Sequence, residues 1–256
     1  MIENGNFHFH LAMKILSNLN WLNPDSLEAV NDRCIINVAV GAWYPRGQSR
    51  LLESLLNQKF QGDFISWTDR YPPGSPSHED LPYGFKSYAF QHAVKAGYRT
   101  ILWLDCSCWA VRPLEPLFDE IESSGHLLSY EGWVAGEWLN DKALANLGVT
   151  RDEAMAFPLV GGMMMGVDLS VVRSQRWLEL FTTYCQDGTT LPGTSHTNLN
   201  GAVSADPRCR GHVADQAVAS IIAAKLGMQI THPPKWRDWA QSTRQTSETI
   251  ILARGL

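Results

Sequence analysis

Thr100-Ile101-Leu102-Trp103-Leu104-Asp105-Cys106-Ser107-Cys108-Trp109-Ala110-Val111-Arg112-Pro113-Leu114 decides how the rest of the chain is read. Five mostly apolar residues run straight into a carboxylate. A continuous apolar run with β-branched and aromatic members, just after Gly97, predicts a strand buried on both faces of a sheet. Asp105 then stands at its carboxyl end, where ligands collect in open α/β sheets. The alternative for the same residue is a strand-terminating aspartate in a turn. Cys106 and Cys108 alternate with Asp105 and Ser107, so they are expected on the opposite face as small core residues.

Working outward, Cys34 to Val40 reads as an earlier strand with the exit loop Gly41-Ala42-Trp43-Tyr44-Pro45. Leu51, Leu52, Leu55 and Leu56 give one face of a helix, and Asp63 to Trp67 a second strand ending near Asp69. Phe85 to Ala96 has helical spacing and Gly97 beyond its end. Residues 34 to 105 therefore read β, α, β, α, β, the pattern of a parallel nucleotide-binding half-sheet. There is no GxGxxG after the first strand and no GxxxxGK[ST], which argues against a dinucleotide fold and a P-loop ATPase. Trp43 and Tyr44 could stack on a base or sit in the core, and Asp69 could take a ribose hydroxyl.

Downstream, Glu115 to Leu128 suits a helix and a strand, and Asp141 to Phe157 is helical with a capping box at Thr150-Arg151-Asp152-Glu153. Gly161 to Val167 reads as a strand with core methionines, and Arg176 to Tyr184 as a helix. Gln186 to Arg210 is a long polar connection, read as a lid or acceptor-side loop, with disorder as the alternative. Asp215-Gln216 opens a helix closed by Gly227, where the acid also suits the helix dipole. Met228 to Thr231 is a short strand, Thr249 to Leu252 a final edge strand, and Leu11 to Leu16 a short outer helix. Trp133 and Trp138, in a Gly- and Trp-rich stretch with Glu131 and Glu137, mark either an acceptor pocket or a loop pinned in the core.

The 256 residues, 45% apolar and 18% charged, suit a globular protein with a substantial core and no membrane span. One domain is expected over 1–256, with a nucleotide-binding half at 34–114 and a second half at 115–256. Five scattered cysteines without CxxC spacing suit free thiols in the cytoplasm. Net charge is −5, yet residues 207–256 hold seven Lys and Arg against three acids. That surplus would draw an anionic ligand toward the C-terminal part.

The loop after the first strand, Pro82-Tyr83-Gly84-Phe85-Lys86, Leu102-Trp103-Leu104-Asp105-Cys106-Ser107, Gly161-Gly162, Asp215-Gln216 and His232 follow one another in the order of a known group. The chain resembles the GT-A glycosyltransferases, the broad group that includes the glycogenin-like family, over roughly residues 34 to 232. The resemblance implies an α/β fold with a mostly parallel central sheet and helices on both faces, of the nucleotide-diphospho-sugar transferase type. It implies a glycosyltransferase taking a UDP- or GDP-sugar to a hydroxyl acceptor: a glycan, lipopolysaccharide, protein or hydroxylated DNA base. Nucleic acid stays among the acceptors through the basic C-terminal part. The donor-binding set it implies, with the residue readings above, is Gly41, Ala42, Trp43, Tyr44, Asp69, Lys86, Asp105, Ser107 and Lys235. Asp215 and Glu137 are the expected catalytic acids, Trp133, Trp138, Gly161 and Gly162 the acceptor side, and Asp105 and His232 the ligands of Mn2+ or Mg2+. Where the family has a DxD motif this chain has Ser107 in place of the second acid, which weakens the metal site. A sugar nucleotidyltransferase and a non-catalytic nucleotide-sugar-binding protein are the rival readings.

Overall fold

The computed structural model describes residues 20–22, 29, 31–231 and 236–255. The outer helix expected over Leu11 to Leu16, together with His232 and Lys235, lies outside the described residues. The strands are β1 (Asn20–Leu22), β2 (Arg33–Val38), β3 (Asp63–Trp67), β4 (Thr100–Leu104), β5 (Cys108–Ala110), β6 (His126–Val134), β7 (Pro158–Asp168), β8 (Arg237–Trp239) and β9 (Ile251–Ala253). The α-helices are α1 (Tyr44–Asn57), α2 (Phe85–Lys95), α3 (Glu115–Ser124), α4 (Asp141–Leu147), α5 (Arg151–Ala154), α6 (Val172–Gln186) and α7 (Ala214–Lys225).

The main sheet has six strands in the order β1-β3-β2-β4-β7-β6. The pairs β1–β3, β3–β2 and β2–β4 are parallel, whereas β7 runs antiparallel to both β4 and β6. The sheet is thus parallel from β1 to β4 and antiparallel beyond it. The central strands β2, β3 and β4 are almost wholly buried because both faces are covered. Along β4, Ile101 and Trp103 enter one core, and Leu102 and Leu104 enter the other. The first core contains α2, α6 and α7; the second contains α1, α3 and a small second sheet. Period-two alternation thereby divides one apolar run between two cores.

The second sheet has the order β5-β9-β8 and was not expected from the sequence. It corrects the reading of the C-terminal strand: β9 is the middle strand, paired on one side with β5 and on the other with β8. Met228 to Thr231 forms no strand of its own, only a bridge between Thr231 and Ser129. The helical stretch from Asp141 is two helices broken at Gly148, which adopts φ 61°. The capping box predicted for the second is present: Glu153 accepts from the Thr150 amide at 2.7 Å, and Thr150 Oγ1 accepts from the Glu153 amide at 3.2 Å. The polar connection 187–210 is laced to the body. Arg151 donates to Ser204 and pairs with Asp206, and Ser195 bridges His212.

Candidate active site

A strand that feeds a crossover helix releases the chain at its carboxyl end, so the helix N-termini gather at that rim. A buried polar chain fixes three exits there. Asn37 Nδ2 donates to the Leu104 carbonyl at 2.6 Å, Gln48 Nε2 donates to Asn37 Oδ1 at 2.8 Å, and Thr68 Oγ1 donates to Gln48 Oε1 at 2.5 Å. The exits of β2, β3 and β4 are therefore held in mutual register.

Asp105 opens a turn closed by the Cys108 amide on the Asp105 carbonyl at 2.9 Å, so the residues after β4 do not alternate as a strand would. Cys106 and Cys108 are nonetheless both buried, as expected. Burial first, and the Asp105 charge second, push both thiols up to about 12. The Asp105 side chain is 27% exposed. Trp103 Nε1 donates to its Oδ1 at 2.7 Å, which fixes the carboxylate on the α2 side of the sheet.

Lys86 lies in the first turn of α2, an unfavourable end of the helix dipole for a cation. Two carboxylates compensate. Lys86 Nζ donates to Asp215 Oδ2 and to the Gly162 carbonyl, both at 2.8 Å, and stands 3.6 Å from Asp105 Oδ1. Burial alone would pull the ammonium down, but Asp105 and Asp215 outweigh it and hold it above the ordinary lysine value. Burial lifts the Asp215 carboxyl above its ordinary range against the pull of Lys86. Only 3% of the Lys86 side chain is exposed. It is a brace between α2, β7 and α7, which changes the role expected for it: a lysine swinging onto a solvent-facing diphosphate is not what the geometry offers.

In front of this group lies a cavity of about 470 Å3. Tyr44, Tyr71, Tyr83, Phe85 and Trp103 supply aromatic wall, and Ser77, His78, Glu79, Lys86 and Asp105 supply polar atoms. That is the size and lining of a small-molecule site. His78 Nδ1 accepts from the Tyr83 amide at 3.3 Å, and burial lowers the imidazole below its ordinary pKa. Gly41, with φ 120°, and Tyr44 line the cavity. Ala42, Trp43 and Asp69 are exposed and do not. The helix begins at Tyr44, so the loop is too short to fold all four residues inward.

Ser107 also departs from expectation. Its Oγ faces Met163 Sδ at 3.7 Å and its carbonyl accepts from Arg50, so the hydroxyl is turned onto β7. With Asp105 Oδ1 already occupied by an indole and an ammonium, the described residues do not fit a divalent cation. Among them no three His, Cys, Asp or Glu side chains converge to hold one.

The glycine pair on β7 separates two polar groups. A methyl at Gly162 would approach Gln216 Cγ to 2.7 Å and Asp215 Oδ2 to 3.1 Å. At Gly161 it would overlap Glu131 Oε2 and approach Arg237 Nη2 to 3.3 Å. Glu131 pairs with Arg237 at 2.7 Å, and burial lifts its carboxyl despite that partner, with the Asp105 charge adding to the rise. Of the two acids flagged in this stretch, Glu131 shares the field of Asp105. Glu137 is held by Arg210 at 2.9 Å on the short 3-10 turn after β6. Trp133 lies beneath Arg210 at 4.6 Å and edge-on to Trp138 at 5.9 Å, so the two tryptophans form one cluster beside the segment leading into Asp215. Glu131 and Arg237 were not singled out as a pair by sequence because they lie 106 positions apart.

These contacts give a first prediction. Gly161→Ala will destabilise the protein by about 1–3 kcal/mol through overpacking and will displace the Glu131–Arg237 pair. Gly166→Ala, whose methyl would press on Ile121 and Leu127, is the matched core control. At equal loss in thermal melting, the first variant should lose more turnover than the second. Equal turnover in the two would show that the face of Gly161 has no part in the site.

No family model matches the chain, and no curated protein matches it in sequence. Solved structures do resemble it. A glycosyltransferase involved in glycosylation of the major capsid of PBCV-1 superposes with a TM-score of 0.51 at 12% identity, covering 86% of this chain and 93% of that one. Mouse xyloside xylosyltransferase 1, in its apo form, gives a TM-score of 0.48 at 10% identity, covering 87% and 97%. At such identity the likeness is one of fold, and the fold is that of the GT-A glycosyltransferases.

Proposed function

We propose that the protein is a glycosyltransferase that binds a nucleotide-sugar donor in the aromatic cavity beside Asp105 and passes the sugar to a hydroxyl acceptor. One observation carries this reading: the carboxylate closing β4 opens into a cavity at the sheet's C-terminal rim, walled by Tyr44, Tyr71, Tyr83 and Phe85. A nucleoside has the matching chemistry, a flat base for the rings and ribose hydroxyls that donate to Asp105. The chain is proposed to act as one domain in a reducing, cytoplasm-like compartment, in keeping with its five free, buried cysteines.

In this reading Lys86 is a positioning residue. It fixes Asp105 toward the donor and Asp215 toward the sugar, and its charge offsets that of the leaving diphosphate. Asp215, with its neighbour Gln216 against Gly162, faces the place of the transferred sugar. Trp133 and Trp138 give an acceptor sugar an apolar face to pack against, with Glu137 held near them by Arg210. A divalent cation would need His232 to add to the single free oxygen of Asp105, and no step is assigned to it.

The test is incubation with a panel of UDP- and GDP-sugars, with and without Mn2+, followed by measurement of released nucleoside diphosphate. Release with at least one donor is expected. Failure with every donor, or release of pyrophosphate from a nucleoside triphosphate instead, would overturn the proposal.

A further inference from the structure

Outside the cavity, on the far side of the Gly41–Tyr44 loop, cations collect without acids. Arg46 and Arg50 are one turn apart on α1 and share a face. The guanidinium of Arg46 stands 5.5 Å from the ring of Trp43, and that of Arg50 lies 4.1 Å from the ring of Trp109 on β5. The Ser107 carbonyl accepts both Arg50 Nη2 at 2.8 Å and the Arg254 amide at 3.1 Å, which brings the C-terminal arginine to the same spot. Burial lowers the Arg50 pKa, the Cys108 and Cys106 thiols oppose that, and the nearby charge of Arg254 adds a smaller lowering. Arg50 Nε is buried and has no partner.

Most arginines elsewhere are neutralised, while Arg112 and Arg173 rest on the Thr249 and Gly227 carbonyls. Arg33, Arg99, Arg151, Arg176, Arg208, Arg210 and Arg237 each pair with a carboxylate, and Lys225 is spent on the Leu147 and Gly148 carbonyls. The basic surplus expected of residues 207–256 is largely consumed in this way. No carboxylate among the described residues pairs with Arg46, Arg50 or Arg254, in a chain whose net charge is −5. Like charges held together without acids are costly unless an anion visits them.

The aromatic part selects the kind of anion. Trp43 is 66% exposed and Tyr44 48%, flat rings beside guanidinium groups. The exposed large aliphatic residues, Val94, Val172 and Leu199, belong to other elements, so the patch has no aliphatic wedge to enter a bilayer. Planar rings interleaved with arginines fit stacked bases and phosphates. We propose that the Trp43–Arg46–Arg50–Arg254 face binds a single-stranded nucleic acid, its bases on Trp43 and its phosphates on the three arginines. The proposal goes beyond the donor site and stands independently of it.

The full chain would be titrated into fluorescein-labelled oligothymidylate of about twelve nucleotides, with anisotropy read at about 50 mM and about 200 mM salt. Binding is expected at the lower salt. Trp43→Ala should weaken it by about fivefold or more. Arg46→Gln with Arg254→Gln should weaken it by about tenfold and reduce the slope of log K against log salt by about 1.4. Lys95→Gln with Lys142→Gln, two exposed lysines elsewhere, should change nothing, and circular dichroism should show every variant folded. Absence of binding by the wild type, equal loss in the lysine control, or sedimentation with phosphatidylserine vesicles without oligonucleotide binding would overturn the proposal.

Discussion

Lys86→Met will melt well below the wild type and will transfer no sugar. The ammonium is buried between Asp215 and the Gly162 carbonyl, both at 2.8 Å. Removing one partner of a buried ion pair leaves the other as an uncompensated charge, at a cost of about 3–5 kcal/mol. In a chain of this size that lowers the melting temperature by on the order of 10 °C. Because the cost comes from the orphaned Asp215, Lys86→Met with Asp215→Leu should recover most of the stability and none of the activity. The pH dependence follows from the sign of the shift. The folded ammonium titrates above the unfolded value of 10.5, so its contribution is fully present below that pH and fades only as pH rises through the folded value. In Lys86→Met the unpaired Asp215, already raised by burial, loses the pull of the ammonium and is relieved by protonation as pH falls, so the gap between wild type and variant should narrow toward acid pH and widen as pH rises. A variant that melts with the wild type would contradict the buried bridge.

Asp105→Asn separates binding from folding. Asp105 is partly open and stands 3.6 Å from Lys86, which keeps its shorter bond to Asp215. The amide preserves shape and can still accept from Trp103, so stability should fall by only about 1 kcal/mol. A carboxylate accepting from ribose hydroxyls makes charge-assisted bonds of about 1.5–3 kcal/mol each. Losing the charge should cut kcat/KM by at least about a hundredfold. Turnover within a few fold of wild type would show that Asp105 is a turn residue and no more.

The alternating strands and helices of residues 34–105 were legible because buried parallel strands announce themselves as apolar runs. Asp63–Trp67 and Thr100–Leu104 were bounded by residues that change both periodicity and polarity, and Gly97 closed the helix before β4. Thr150 and Glu153 were legible for a local reason, since a capping box is written within four residues. The second sheet was not legible: β5, β8 and β9 have three residues each, too few for a pattern, and β5 meets its partner β9 only across more than a hundred positions. Site residues divide along the same line. Asp105 was marked by the strand it ends, whereas the burial of Lys86 depends on Asp215, 129 positions away. The resemblance placed Lys86 among the donor-binding residues; packing makes it a brace. Trp43 and Tyr44 are neighbours in sequence, yet only Tyr44 reaches the cavity, because the start of α1 turns them apart.

Calorimetric titration with nucleoside diphosphate sugars examines the cavity beside β4 without waiting for an acceptor. At least one donor should bind the wild type, and the same donor should bind Asp105→Asn at least about tenfold more weakly while the variant remains folded. Heats absent for every donor, or equal affinity in the two proteins, would contradict a nucleotide-sugar site at that rim.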